Sequence, residues 1–267
     1  MLPYFTRILI IWLLAPYWAT GQGQANTVLG LMSPAANDPW LLWQQPDQLG
    51  RQSGLSAAAG SWYRWNTPGA GERMLAISAA VPGGGLAFGL EQQSFAGLRE
   101  SRHLLGFGRD FSGWQLGIQL QHERQRIAER SRDRLGYGIS GAYPLHKQWQ
   151  LLVAYHQSPL GDENWQRSPL LPRWQAGFAH QLLPQLQLCF GTQLSPGDKP
   201  SINSGVFYQP LPHFSLLAGY QSASSHLAFG INYQLSQLKT SLTAQIHPLL
   251  GTAYWLDLCF DLPSFSF

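Results

Sequence analysis

HFSLLAGYQSASSHLAFGINYQL, residues 213–235, alternates along nearly its whole length. Phe214, Leu216, Ala218 and Tyr220 take turns with Ser215, Leu217, Gly219 and Gln221. Beyond Ser-Ala-Ser-Ser, Leu227, Phe229, Ile231 and Tyr233 take turns with Ala228, Gly230 and Asn232. Successive side chains of a strand point to opposite faces, so this is a hairpin with one apolar face ending in tyrosine and one small or polar face. In a soluble sheet the apolar face would meet a core and the other face water. In a closed membrane barrel the apolar face meets lipid and the other lines the lumen.

Composition selects the barrel. Of 267 residues 12% are charged and 13% aromatic, against roughly a quarter charged in ordinary soluble domains. So few charges make a soluble surface hard to build. Mean hydropathy is nonetheless near zero, and past the N-terminal leader no run of eighteen apolar residues occurs, which excludes a helical membrane protein. Barrel strands reconcile the two facts by alternating their hydrophobicity. The net charge of +3 comes mostly from arginines gathered in one region, and it does not read as nucleic-acid binding.

Residues 1–21 read as an export signal: Arg7, an apolar run over 8–15 too short for a membrane helix, then Ala19-Thr20-Gly21 with small residues where a signal peptidase cuts. Residues 22–52 lack a sustained period of two and are broken by Pro34, Pro39 and Pro46, which predicts a short N-terminal plug of turns and loops with Asp38, Trp43 and Pro46 as its candidate functional residues. Residues 53–262 predict an all-β, antiparallel transmembrane barrel, and 263–267 a C-terminal tail. Cys189 and Cys259 match no zinc spacing and both fall on the lumenal phase, so free thiols are expected rather than a cross-lumen disulfide.

Fourteen strands are predicted, over 53–65, 73–81, 85–93, 101–109, 114–122, 134–143, 148–157, 173–182, 185–193, 202–209, 213–221, 226–233, 237–246 and 252–262. Most have a length suited to crossing a bilayer at a tilt. The second face repeatedly carries Gln and Gly, which suit a wet or narrow lumen better than a sandwich core. Trp62, Trp65, Trp114, Tyr143, Trp149, Trp174, Tyr220 and Tyr233 lie near strand ends, as interfacial girdles require. Odd connections, 94–100 and 123–133 among them, are longer and more charged than even ones. That asymmetry predicts an even strand count with both termini on the periplasmic side of a bacterial outer membrane. The ending DLPSFSF, with its terminal Phe267, resembles the signal by which outer-membrane assembly machinery recognises its clients, although Pro263 interrupts it.

The segment LGLMSPAANDPWLLWQQPDQL, residues 29–49, resembles the leading segment of the long-chain fatty-acid transporter (FadL-like) superfamily and its PorV/PorQ relatives. Pro34 to Ala36, Asp38-Pro39, Trp43 and Pro46 carry the match, with Gln45-Pro46-Asp47 standing where those families have Asn-Pro-Ala. HPLLGTAYWLDLCFDL, residues 247–262, is similar to the PorV/PorQ ending. The resemblance implies a non-enzymatic accessory of type IX-like protein secretion that binds a larger translocon subunit or a secreted cargo. The alternative is a passive channel or transporter for small or hydrophobic molecules.

Within the barrel, Glu91, Gln119, Gln150, His156, Gln187, Asp257 and Asp261 fall on the lumenal phase and are the candidate lumen lining. Arg124, Arg126, Arg130, Arg132 and Arg134, in HERQRIAERSRDR, are expected in an outer loop at the level of the lipopolysaccharide. There they could dock anionic lipid or a protein partner, the plainer reading being a solvated loop with internal ion pairs. His156-Gln157-Ser158 with Asn164 resembles the His-x-Ser of outer-membrane phospholipases. His156, however, shares the lumenal phase and Pro-Leu-Gly follows Ser158, so no catalysis is expected. Nor is a cofactor or metal.

Overall fold

The structure is a computed structural model that describes residues 38–63, 71–95, 97–127, 130–160, 172–196, 199–223 and 225–262. The expected signal (1–21), the first part of the plug (22–37), Trp65, Asn164 and the tail (263–267) lie outside the described residues. Fourteen antiparallel strands close into one barrel in sequence order, the last pairing with the first. They are β1 (Leu55–Tyr63), β2 (Gly71–Val81), β3 (Gly84–Phe95), β4 (Leu98–Phe111), β5 (Trp114–Ile127), β6 (Arg130–His146) and β7 (Trp149–Leu160), followed by β8 (Arg173–Leu183), β9 (Leu186–Leu194), β10 (Ser201–Leu211), β11 (Phe214–Gln221), β12 (His226–Leu235), β13 (Leu238–His247) and β14 (Gly251–Leu262).

Every strand predicted from the period of two is present. The diagnostic hairpin is β11–β12, with Ser215, Leu217, Gly219, Gln221, Ala228 and Gly230 buried inside while Leu216, Tyr220, Leu227, Phe229, Ile231 and Tyr233 are exposed outside. Closure leaves no strand edge unpaired, which a lipid environment demands. At the end of the barrel near the start of β1, all six connections are two-residue turns: 82–83, 112–113, 147–148, 184–185, 212–213 and 236–237. In the turn between β4 and β5, Ser112 and Gly113 both have positive φ, 53° and 96°, the twist that a two-residue hairpin favours. This is the turn end; the opposite one, where five of the seven connections are longer than two residues, is the loop end. Outward aromatics form a belt at each. Trp114, Tyr143, Trp149, Tyr208, Phe214 and Tyr233 stand toward the turn end, and Tyr63, Tyr137, Tyr155, Trp174, Tyr220 and Tyr254 toward the loop end.

Two expectations are corrected. The segment 123–133 is not a loop: β5 and β6 run on as a hairpin to 127 and from 130, and β3 and β4 likewise consume most of 94–100. Charged alternation continues the ladder there, because Glu123 faces Arg134 and Arg124 faces Asp133 across the strands. Opposite charges at facing positions stabilise pairing. The five arginines are therefore split by the pleat: Arg124 and Arg126 take the outward phase, Arg130, Arg132 and Arg134 the inward one. The second correction is Trp62, which belongs to no girdle. It is buried inside the barrel with Met74, Ala253 and Trp255.

Candidate functional site

The described part of the plug is two short 3-10 helices, Pro39–Trp43 and Pro46–Arg51, lying inside the barrel against β1 to β6. Asp38 starts the first: its carboxylate accepts from the Trp40 amide at 3.0 Å, and Pro39 follows at the position where a missing N–H costs nothing. Leu41, Leu42 and Leu49 are buried with Ala87 and Leu104 of the wall. Each such leucine withdrawn from water is worth about 1.5–3 kcal/mol.

The wall is built to receive this backbone. Gly85, Gly108, Gly117 and Ser140 face one another across β3, β4, β5 and β6 in a single row. A Cβ on Gly85 would strike the Leu49 carbonyl, one on Gly108 the Pro46 carbonyl, and one on Gly117 the Asp47 amide nitrogen. The row ends in a hydrogen bond, the Asp47 amide donating to the Ser140 hydroxyl at 2.9 Å. One row further on, Gly106 makes room for Leu42, and in the row beyond that Gly89 makes room for Trp43. Burial pushes the Asp47 carboxyl above its ordinary range, opposed by hydrogen bonds from Ser140 and Gln48. The side-chain amides of Gln48 and Gln115 meet at 2.8 Å, and Gln115 in turn meets Gln150 at 3.3 Å.

A charge network ties the plug to the loop-end half of the lumen. Arg102 of β4 reaches Glu100 at 2.7 Å, Glu123 at 3.3 Å and Glu91 at 3.4 Å, with side-chain exposures of 12% for the arginine and at most 4% for the carboxylates. Arg134 adds a longer contact to Glu123 at 3.7 Å. Glu91 also accepts from the Trp43 indole N–H at 3.0 Å, so one carboxylate holds wall and plug together. Across the lumen the Lys239 ammonium reaches the Asp38 carboxylate at 3.4 Å. Beside it Asp257 accepts from the Trp255 indole at 2.6 Å and from the Ser241 hydroxyl. Trp40 packs edge-on against Trp255, ring centroids 5.6 Å apart.

Replacing Trp43 by phenylalanine keeps the ring against Gly89 and removes only the donor to Glu91. A hydrogen bond to a buried charge is worth about 1.5–3 kcal/mol, so amide hydrogen exchange over 39–52 is expected to speed up about tenfold or more while the strands exchange as before.

The remaining predicted lumen residues are dispersed. Gln119 is buried on β5 in the row of Gly106 and Gly138, and His156 stands against Gly138 from β7. Gln187 faces Gln181 near the turn end, and Asp261 lies 3.7 Å from the Cys259 thiol. Cys189 and Cys259 are buried and are not joined in a disulfide. Sequence reading missed Arg102, Glu100, Lys239 and Ser140, and it gave the glycines only a general spacing role. It also missed an inner apolar wall, where Ala179, Cys189, Phe207 and Leu217 of β8 to β11 form one buried cluster on the side away from the described plug.

No protein-family model matches this sequence, and no curated protein sequence matches it. Solved structures do. Two crystal structures of the Pseudomonas putida toluene transporter TodX superpose with TM-scores of 0.60 and 0.61 at 11% identity. They cover 83% and 85% of this chain and 92% and 95% of theirs. At that identity the likeness establishes the fold, a large outer-membrane barrel. A mutant of the Rh. blastica porin matches at a TM-score of 0.48 and 10% identity, over 78% of this chain and 99% of its own.

Proposed function

We propose that this chain is a plugged, non-enzymatic barrel of the bacterial outer membrane that passes small hydrophobic molecules, with its turn end and both termini in the periplasm. The orientation follows the general rule that short turns face the periplasm and longer connections the outside. The observation that carries the function is the inner apolar wall of Ala179, Cys189, Phe207 and Leu217. A water-filled pore lines its lumen with polar groups, whereas an apolar passenger needs apolar surface facing inward. TodX, whose fold the chain shares, is a toluene transporter, which supports the same reading. The plug, hydrogen-bonded and ion-paired to the other half of the wall, would keep ions and water from following.

The secretion-accessory reading implied by residues 29–49 and 247–262 makes a different demand, a translocon subunit or cargo bound at near-equal stoichiometry. The barrel fold and the apolar inner wall favour passage at least as well. Uptake of a labelled small aromatic hydrocarbon by cells expressing the chain tests the proposal. Uptake is expected to exceed that of empty cells, and Phe207→Asn with Leu217→Asn to reduce it about tenfold, the discrimination an apolar site typically achieves. Uptake equal to empty cells, together with a stoichiometric protein partner recovered from native membranes, would sink it.

A further inference from the structure

The outer wall of the barrel carries a groove at the seam between a polar and an apolar surface. Strand register lays the outward residues in rows. Nearest the loop end, Tyr63, Gly71, Ser94, Arg99, Arg126 and Ser131 face one another from β1 to β6, and next come Ser61, Arg73, Gln92, Ser101, Arg124 and Asp133. The third row, Ala59, Leu75, Leu90, His103, His122 and Leu135, is mixed. The fourth, Ala57, Ile77, Phe88, Leu105, Leu120 and Tyr137, is apolar. Four arginines and one aspartate therefore stand above a lipid-facing surface. Asp133 is taken up by Arg124 at 2.8 Å and His122 at 3.1 Å, while exposed Arg73 and Arg99 make no ion pair among the described residues.

Along the second and third rows runs a cavity of about 520 Å³ on strands β14 to β4. Small Ala59 and Ser61 indent the wall between Leu256 and Leu258 on one side and Arg73 and Leu75 on the other; Gln92, Ser101 and His103 continue the polar margin and Leu90 the apolar one.

We propose that this groove docks lipid A, the phosphorylated glycolipid of the outer leaflet, with a phosphate on Arg73 and Arg99 and an acyl chain laid over Leu75, Leu90 and Leu258. Charge selects the occupant. A guanidinium binds phosphate through paired hydrogen bonds, the margin is basic, and an apolar strip begins directly beneath it, as an anionic amphiphile with its head at the interface requires. The loop-end position selects the leaflet, and in this the assignment rests on the orientation proposed above, though not on the transported molecule.

The test uses the purified full-length protein in detergent, with bound lipid counted by native mass spectrometry. The unchanged protein is expected to retain bisphosphorylated lipid A and to lose about tenfold in affinity for the dephosphorylated form. Arg73→Ala with Arg99→Ala, both on the exposed outer wall, should lose at least as much, and Ala59→Trp should block the groove, heat-dependent gel migration confirming an intact barrel for each. Equal retention of dephosphorylated lipid A by the unchanged protein would overturn the proposal. Phosphatidylglycerol bound as well as lipid A would also overturn it, because an anionic lipid in general would then suffice. If the orientation fails instead, surface labelling will place the loop end in the periplasm whatever the lipid result.

Discussion

Gly117→Val is expected to unseat the plug while leaving the barrel assembled. The new Cβ would collide with the Asp47 amide nitrogen and the Pro46 carbonyl carbon, both backbone atoms that cannot swing aside as a side-chain tip can. Forcing extra methyl groups into a filled site costs about 1–3 kcal/mol and more where the neighbours are rigid. Displacement would also give up the Asp47 to Ser140 hydrogen bond and the burial of Leu42 and Leu49. The strand itself should tolerate the change, since valine suits a pleated ladder better than glycine does. Limited proteolysis should cut within 38–52 at least about tenfold faster, and ionic conductance in planar bilayers should rise. Gly108→Val, beside it in the same row, should do the same. Gly141→Val, where a Cβ would meet only the Leu116 side chain and a carbonyl at 3.3 and 3.5 Å, is the control that should leave the plug protected.

Arg102→Met carries the other large effect, and it acts on stability. Three buried carboxylates, Glu91, Glu100 and Glu123, share this guanidinium, and Glu72, also buried, interacts with it electrostatically. Removing one partner of a buried ion pair costs about 3–5 kcal/mol, because the opposite charge stays behind without compensation. Thermal unfolding in detergent, followed by the gel shift between folded and unfolded barrel, should move down by several degrees. Adding Glu100→Gln and Glu123→Gln should recover much of the loss, since the penalty belongs to the orphaned charges rather than to the missing arginine. A triple variant as unstable as Arg102→Met alone would show that Arg102 acts through packing instead.

The barrel was legible because its period of two is local. Leu227, Phe229 and Ile231 declare an outward face within five residues, and Gly219 and Gln221 an inward one, without knowledge of any partner strand. Features that depend on register were not legible. Gly85, Gly108 and Gly117 lie on three different strands and become a shelf only once β3, β4 and β5 are aligned. Arg102 looks like any strand arginine until Glu91 and Glu123 are brought to either side of it. The run HERQRIAERSRDR read as a loop because charge density usually marks solvent. The cross-strand pairs Glu123–Arg134 and Arg124–Asp133 that make it a hairpin appear only on pairing. Phe207 and Leu217 were hidden for a related reason: an apolar residue on the lumenal phase looks like an exception to the alternation until its neighbours prove to be Ala179 and Cys189.

Passage through this barrel depends on where a small apolar molecule sits in it, and photo-crosslinking reads that directly. A small aromatic diazirine added to native membranes, with labelled residues mapped by mass spectrometry, is expected to mark Ala179, Cys189, Phe207 and Leu217 on the inner face of β8 to β11, and to do so less when unlabelled hydrocarbon competes. Labelling confined to outward positions such as Leu216, Phe229 and Ile231, unaffected by competitor, would place the probe in lipid alone and contradict the account.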